Sequence, residues 1–326
     1  MSLRAITSFP WSPTTKKVAF LAASAAVLLF FAYGVYRDWG ELSTHQWSIN
    51  YSYLAFSLLL YGLIFFLNIW VWSSIAARLC QVTSFSRNLQ AYCQANLAAR
   101  LPGPLWHVGA RVYLYQKEGV GRSFTLVGTF LELALKIASG VLISLVTLPF
   151  YVGETSLLPR YRTPTLMGLS LLLLISPLLL KKGVPLLTAR LAGEETVLDL
   201  RDTLLWSAEY SLCWLLGGLM LYWVANVVYP LPPTYAPTVI HIATTSVTLA
   251  TVASLLPGGL LVREVSISVL LSRFVPLSMA IVISLLSRLL VTVADVFYSL
   301  ASLALNRYLL TGSGAGTGGP DSKVDL

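Results

Sequence analysis

The chain has 326 residues, of which 56% are hydrophobic and only 11% charged, and it carries a formal net charge of +8. A soluble domain holds about 25% charged residues, so this composition excludes a water-soluble fold and the nucleic-acid-binding reading that a basic soluble chain would invite. Cys80, Cys93 and Cys213 lie in or beside apolar segments in no CxxC or Cys/His spacing, and His45, His107 and His241 are dispersed, so no disulfide, metal site or cofactor is expected.

In chain order, residues 1–17 form a cytoplasmic segment ending in Lys16-Lys17. The apolar run after it is followed by Tyr33, Tyr36 and Arg37 instead of a small-residue cleavage site, which makes it a retained first span and not a signal peptide. Runs over 18–36, 52–79, 124–150, 164–180, 203–228 and 276–305 reach the length of about 20 residues needed to cross a bilayer. Between 181 and 202 the chain is polar, with room for one amphipathic helix at most. The tail, 309–326, is a flexible Gly/Ser segment with no strand before it to make it a phosphate loop. Residues 18–308 therefore read as a single transmembrane domain, with Trp47, Tyr51, Trp70, Trp72, Tyr151, Trp206, Tyr229 and Tyr235 forming interfacial belts near the span ends.

Two further hydrophobic regions, 88–117 and 239–272, are interrupted by related motifs: Leu101-Pro102-Gly103-Pro104 and, 155 residues later, Leu256-Pro257-Gly258-Gly259. Their arms fall short of, or barely reach, a crossing length. Each region is either one kinked crossing or a re-entrant hairpin that turns back at Pro-Gly. Loop charge discriminates between these, because cytoplasmic loops are enriched in Lys and Arg. With two hairpins, Arg4, Lys16, Lys17, Arg78, Arg87, Lys117, Arg122, Lys181, Lys182, Arg190, Arg201, Arg307 and Lys323 lie inside, against Arg37, Arg160, Arg162 and Arg273 outside. With two crossings the bias vanishes. The expected fold is thus an all-α polytopic membrane protein of about six full spans plus two re-entrant helical hairpins. Each half then makes three crossings, so the halves, about 18–150 and 164–305, are inverted repeats with both termini cytoplasmic. Broken helices at matching positions of two halves are a pointer to a transport site.

The chemistry at the breaks supports that reading. A helix that restarts after Pro-Gly presents free N–H groups and the positive end of its dipole, which is a ready anion site. Arg100 precedes the first break, and His107 and Arg111 follow it on one helical face. Arg263 and Glu264 follow the second. Arginine forks suit phosphate, so Arg100, Pro102, Gly103, His107, Arg111, Pro257, Gly258, Gly259, Arg263, Glu264 and Arg288 are the candidate substrate-binding residues. The competing role for each arginine is to tie down loose carbonyls at a hairpin tip.

Deeper in the long helices that follow, Glu132 and Lys136 share one face, as do Arg288 and Asp295. Glu132 follows its Pro-Gly by 30 residues and Arg288 by 31, so a Glu132–Arg288 bridge across the repeat axis is expected, with Glu132, Lys136 and Asp295 forming gating charge pairs. Buried charges in a bilayer cost about 2.5–3.5 kcal/mol each; a plain salt-bridge network gluing helices together is the alternative to a transport role.

At these residues the chain resembles the transmembrane region of the lysylphosphatidylglycerol synthases, also described as a flippase-like family. The elements that carry the resemblance are Arg100-Leu-Pro-Gly-Pro-Leu-Trp-His-Val-Gly-Ala-Arg111 with Glu132 downstream, and Leu256-Pro-Gly-Gly-Leu-Leu-Val-Arg263-Glu264 with Arg288 downstream. The resemblance spans about residues 15–308 and implies lipid translocation in the cell (inner) membrane. These 326 residues hold no soluble synthase domain, and Pro104 stands where the second motif has Gly, so lysylphosphatidylglycerol synthesis is not expected of them. The expected function is a flippase for a lipid with an anionic, phosphate-containing headgroup, either a phospholipid or a polyprenyl-phosphate-linked glycan, with a separate lipid- or glycan-synthesising enzyme as partner. Monomer and homodimer are both compatible with the sequence. The alternatives are a membrane enzyme acting on a lipid phosphate, with Glu132 or His107 as acid/base, and a non-catalytic assembly subunit.

Overall fold

A computed structural model describes residues 25, 29–44, 49–100, 106–152, 183–186, 189–190, 198–253 and 261–314. The Pro-Gly residues Pro102, Gly103, Pro104, Pro257, Gly258 and Gly259, and the expected span 164–180, lie outside these. The described part is helical: α1 (Trp39–Thr44), α2 (Tyr51–Leu79), α3 (Phe85–Ala98), α4 (Trp106–Lys117), α5 (Arg122–Val152), α6 (Leu200–Val228), α7 (Ala236–Ala253, entered through a 3-10 turn at Pro233–Tyr235), α8 (Val262–Leu271) and α9 (Leu277–Gly314). Five helices are long and apolar enough to cross a membrane: Tyr51–Leu79, Arg122–Tyr151, Leu200–Val228, Pro233–Ala253 and Leu277–Tyr308. The last continues to Gly314, into the segment read from sequence as flexible tail.

Helix starts are set by local side chains. Asn50 caps α2, its Oδ1 accepting from the N–H groups of Ser52 at 3.1 Å and Tyr53 at 3.4 Å. Asp199 caps α6 through the N–H of Arg201. The start of α9 borrows its cap from elsewhere in the chain: the Asp38 carboxylate accepts from the N–H of Ser278 at 3.1 Å. Arg37 beside Asp38 holds that carboxyl below its ordinary range.

α3 and α4 form an antiparallel pair whose open end is closed by the Arg87–Glu118 ion pair at 3.0 Å and by the Tyr115 hydroxyl donating to Asn88 at 2.6 Å. At 14 and 12 residues they are about 21 and 18 Å long, short of the roughly 30 Å hydrocarbon layer. α7 and α8 are also antiparallel. Tyr235 before α7 meets Phe274 after α8 at 5.5 Å between ring centroids, so the chain leaves this pair at the end of the molecule where it entered. The 3-10 turn lengthens the first arm to 21 residues, long enough by itself to cross.

The packing of α2–α5 repeats in α6–α9. In each quartet the first helix packs on the second and fourth, the second on the third, and the third on the fourth. Between quartets, α2 lies on α6, α3 on α9 and α7 on α5, and α2 and α6 each also touch the other quartet's last helix. The corresponding helices α2 and α6 run antiparallel: Tyr53 stacks near Trp223 at one end, and Arg78 pairs with Asp202 at 2.9 Å at the other.

In lipid, helices associate through close packing and polar contacts, because hydrocarbon supplies no hydrophobic drive between them. Gly62 admits the Tyr298 ring, Gly140 admits Thr248 and Trp214, and Gly218 lets the α7 backbone at Ile240 approach α6. One buried cluster, including Trp72, Tyr92, Tyr115, Leu131 and Trp206, surrounds the first helix pair; another, including Tyr222, Ile242, Ile267 and Ile283, surrounds the second. Trp72 and Trp206, read from sequence as interfacial, are instead core residues with relative exposures of 0% and 2%. Their indole N–H groups explain why: Trp72 donates to Tyr115 at 3.0 Å and Trp206 to Ser74 at 2.9 Å, which satisfies the polar edge inside the bundle. Tyr51 and Trp70 do face outward.

Candidate functional site

The ion pairs with a buried carboxylate form three groups among the described residues. In the first, Arg111 of α4 donates to Glu132 of α5, and Lys136 one turn on donates to the same carboxylate at 2.7 Å. The Arg111 guanidinium lies 3.8 Å from the centroid of the Trp72 ring and 5.1 Å from that of Tyr92. These electron-rich faces offset part of its desolvation. His107 sits half-buried on α4, one turn before Arg111. Below them, Asn88 ties the helix pair to α2 by donating to Ser73 at 3.0 Å and to the Val82 carbonyl at 2.9 Å.

In the second group, Glu264 of α8 is buried and accepts from Arg288 of α9 at 3.0 Å, while the Ser284 hydroxyl donates to the Glu264 carbonyl at 3.0 Å. In the third, Asp295 of α9 pairs with Arg100 at the end of α3 and accepts from the Tyr61 hydroxyl at 2.5 Å and from Asn96 at 3.0 Å.

The expected Glu132–Arg288 bridge is therefore not formed. Glu132 is held by Arg111 and Lys136, and Arg288 by Glu264. The reason is the packing order: α5 and α9 are not packed against one another, and each long helix instead receives the outgoing arm of its own helix pair. The outcome preserves the repeat in another form. In both quartets the third helix is ion-paired to the fourth, with the polarity reversed: Arg111 to Glu132 in one, Glu264 to Arg288 in the other. Asp295, expected on the same face as Arg288, instead makes an ion pair between quartets, joining α9 to the end of α3.

Arg263 is in no ion pair among the described residues, and its Nε is buried without a hydrogen-bond partner there. It stands in the electrostatic field of its neighbour Glu264 first, and of Arg288 and Arg100 after it. It faces a cavity of about 290 Å³ formed by residues from α2 and α5–α9, where the two quartets meet. Lys136 is the other cation in its wall, and Tyr61, Asn68, Tyr210 and Trp214 supply further polar atoms. Among the described residues no carboxylate lines it, and the rest of the wall they form is largely apolar. Gly217 opens onto it, with nothing within 4 Å of where a Cβ would stand.

Of the candidate substrate-binding residues that the structure describes, Arg263 alone lines the cavity, and the charge-pair candidate Lys136 joins it. Arg100, Arg111, Glu264 and Arg288 are engaged in ion pairs around it. Sequence reasoning did not find Tyr61, Asn68, Tyr210, Trp214 or Gly217. They are ordinary residues of membrane helices, and only the crossing of α2 with α6 makes them neighbours. Leu261, with φ of 74°, turns the chain into α8 in a left-handed conformation that costs a non-glycine residue about 1–2 kcal/mol. Among the described residues no group of three His, Cys, Asp or Glu side chains could hold a metal ion.

Fold and charge pattern together define a polytopic helical membrane protein with buried ion pairs around a cationic cavity. The sequence matches the lysylphosphatidylglycerol synthase TM region over residues 17–297, and the chain belongs to that family. No curated protein matches it significantly.

Proposed function

We propose that this chain is a flippase for lipids with an anionic, phosphate-containing headgroup. One observation carries the reading: among the described residues the cavity between the quartets has Lys136 and Arg263 in its wall and no carboxylate. A lipid phosphate entering it would meet two cations in a low-dielectric setting, where each charge-assisted hydrogen bond is strong. The acyl or prenyl chains would remain in the bilayer beside the bundle.

In this reading α3–α4 and α7–α8 are re-entrant hairpins, and α2–α5 and α6–α9 are inverted repeats. The antiparallel run of α2 against α6 supports inversion, because repeats related by an axis along the membrane normal would place equivalent helices parallel. Alternating access is the rocking of one repeat against the other, with the Arg100–Asp295 contact between quartets opening and closing. The end of the molecule bearing Arg78, Arg87, Lys117, Arg122, Arg201 and Arg307 faces the cytoplasm of the cell membrane. A separate enzyme makes the lipid.

The test is a proteoliposome assay with fluorescent phosphatidylglycerol and a membrane-impermeant quencher. The expected result is quenching beyond the outer-leaflet half, with the lipid recovered unchanged, and loss of that movement in Arg263→Ala. Quenching no greater than in protein-free vesicles would overturn the proposal. Recovery of a chemically altered lipid would replace it with the enzyme reading.

A further inference from the structure

The charge balance around the cavity defines the ligand more narrowly than "anionic". Five cations surround it: Arg100, Arg111, Lys136, Arg263 and Arg288. Three carboxylates oppose them: Glu132, Glu264 and Asp295. Asp295 is matched by Arg100 and Glu264 by Arg288. Glu132 serves both Arg111 and Lys136, which leaves one positive charge over, and Arg263 leaves a second. The balance over these eight groups is two positive charges in excess, and the two cations that the described residues place in the cavity wall are Lys136, which shares Glu132 with Arg111, and Arg263, which adjoins Glu264.

Among the described residues no further carboxylate lines the cavity. Glu209 of α6 makes no ion pair among the described residues and does not line the cavity. The segments 101–105 and 254–260 contain no ionisable side chain. From α2 and α7 the described lining residues are Tyr61, Ile64 and Asn68, and Ala243, Thr244, Val247 and Thr251.

We infer that the cavity takes a lipid whose terminal phosphate carries two negative charges, as a phosphate monoester or diphosphate does, in preference to a singly charged phosphodiester. A monoester has a second ionisation near pH 6 and carries about −1.5 to −2 at neutral pH. A diester entering the same space would leave one buried cation unmatched, and an uncompensated buried charge is costly. A headgroup with an added ammonium would do worse, for want of a carboxylate to receive it. The volume points the same way, since about 290 Å³ lies at the lower edge of the roughly 300–1,000 Å³ usual for ligand pockets. A bare terminal phosphate fits where a long glycan would not.

This rests on the cavity being the headgroup site of the flippase reading, but it is tested by binding alone. Purified protein in detergent at pH 7.5 is titrated with phosphatidic acid, polyprenyl phosphate, polyprenyl diphosphate, phosphatidylglycerol and phosphatidylcholine, and retention is read by native mass spectrometry. The expected order is phosphatidic acid and the polyprenyl phosphates at least ten-fold tighter than phosphatidylglycerol, with phosphatidylcholine weakest. The monoester advantage should shrink at pH 5, where that group loses its second charge. Arg263→Gln should reduce the preference to within about three-fold. Gly217→Phe, which fills the cavity and leaves every charge in place, should abolish binding of all the anionic lipids. Comparison of phosphatidic acid with the polyprenyl lipids tells whether the tail contributes. Equal binding of monoester and diester by the wild-type protein, or an Arg263→Gln variant that keeps the full preference, would overturn the inference. Tight monoester binding without translocation would sink the flippase reading and leave this one standing; translocation of phosphatidylglycerol with equal binding of both lipids would do the reverse.

Discussion

Arg111 and Lys136 compete for one carboxylate, and this makes Glu132 the residue on which the first charge group depends. With Arg111 replaced by methionine, the Glu132–Lys136 pair remains and is neutral. With Glu132 replaced by glutamine, two cations stay inside the bundle with no counter-charge, and breaking a buried pair in this way costs about 3–5 kcal/mol. Glu132→Gln should therefore destabilise the protein more than Arg111→Met, although both remove the same ion pair. The double variant should be more stable than Glu132→Gln alone, because it removes one of the two stranded cations. Denaturant unfolding in detergent of the three variants tests this ordering; equal losses in the two single variants would mean that Lys136 takes no share of the carboxylate. Trp72 belongs to the same group, since its ring faces the Arg111 guanidinium and its N–H is committed to Tyr115. Nothing in its sequence context separates it from the lipid-facing Trp70 two residues earlier. The distinction depends on which side of α2 meets α4.

α6 carries two adjacent glycines that do different things. A Cβ on Gly218 would come within 2.6 Å of the Ile240 backbone, so α7 can approach α6 at that level only because the side chain is absent. Gly217, next to it, points into open space at the cavity. Gly218→Ala should cost about 1–3 kcal/mol through overpacking against a backbone that cannot yield. Gly217→Ala should be neutral or slightly stabilising, because alanine is the better helix former by up to about 1 kcal/mol. Melting temperatures in one detergent compare them directly, and a Gly217→Ala loss as large as that of Gly218→Ala would mean the cavity is closed. At this scale much was legible in the sequence. The runs at 52–79, 124–150, 203–228 and 276–305 correspond to α2, α5, α6 and α9, because a span needs only length and apolarity to announce itself. The pairing of α3 with α4 was legible too, from arms too short to cross. What sequence could not supply was which helices touch. Glu132 and Arg288 occupy equivalent places in their quartets, yet equivalence across an axis does not make them neighbours, and each is claimed by the helix pair preceding it.

The ends of the molecule are tied by polar contacts that determine which loops share a face. Arg78 with Asp202, Arg87 with Glu118 and Ser86 with Asn306 gather the end of α2, the open end of α3–α4, the start of α6 and the far part of α9 at one end. Asn50 with Val227, Tyr235 with Phe274, Tyr151 with Arg273 and Asp38 with Ser278 gather the starts of α2, α7 and α9 and the ends of α5, α6 and α8 at the other. The first end carries Arg78, Arg87, Lys117, Arg122, Arg201 and Arg307; the second carries Arg37 and Arg273. In the proposed arrangement, where α3–α4 and α7–α8 are re-entrant, the loop at 118–121 and residues 198–202 lie on one side of the membrane. Single cysteines placed at Glu118 and Asp199 should therefore react with an impermeant maleimide from the same side of a sealed membrane, and those at Thr234 and Arg273 only from the opposite side. The native cysteines Cys80, Cys93 and Cys213 are buried and supply a low background. With inside-out and right-side-out vesicles prepared from the same cells, the basic end should label from the cytoplasmic side, as the excess of Lys and Arg requires. Labelling of positions 118 and 199 from opposite sides would break the hairpin arrangement. Without it, Arg111, Glu264 and the cavity between the quartets could not occupy one layer of the membrane.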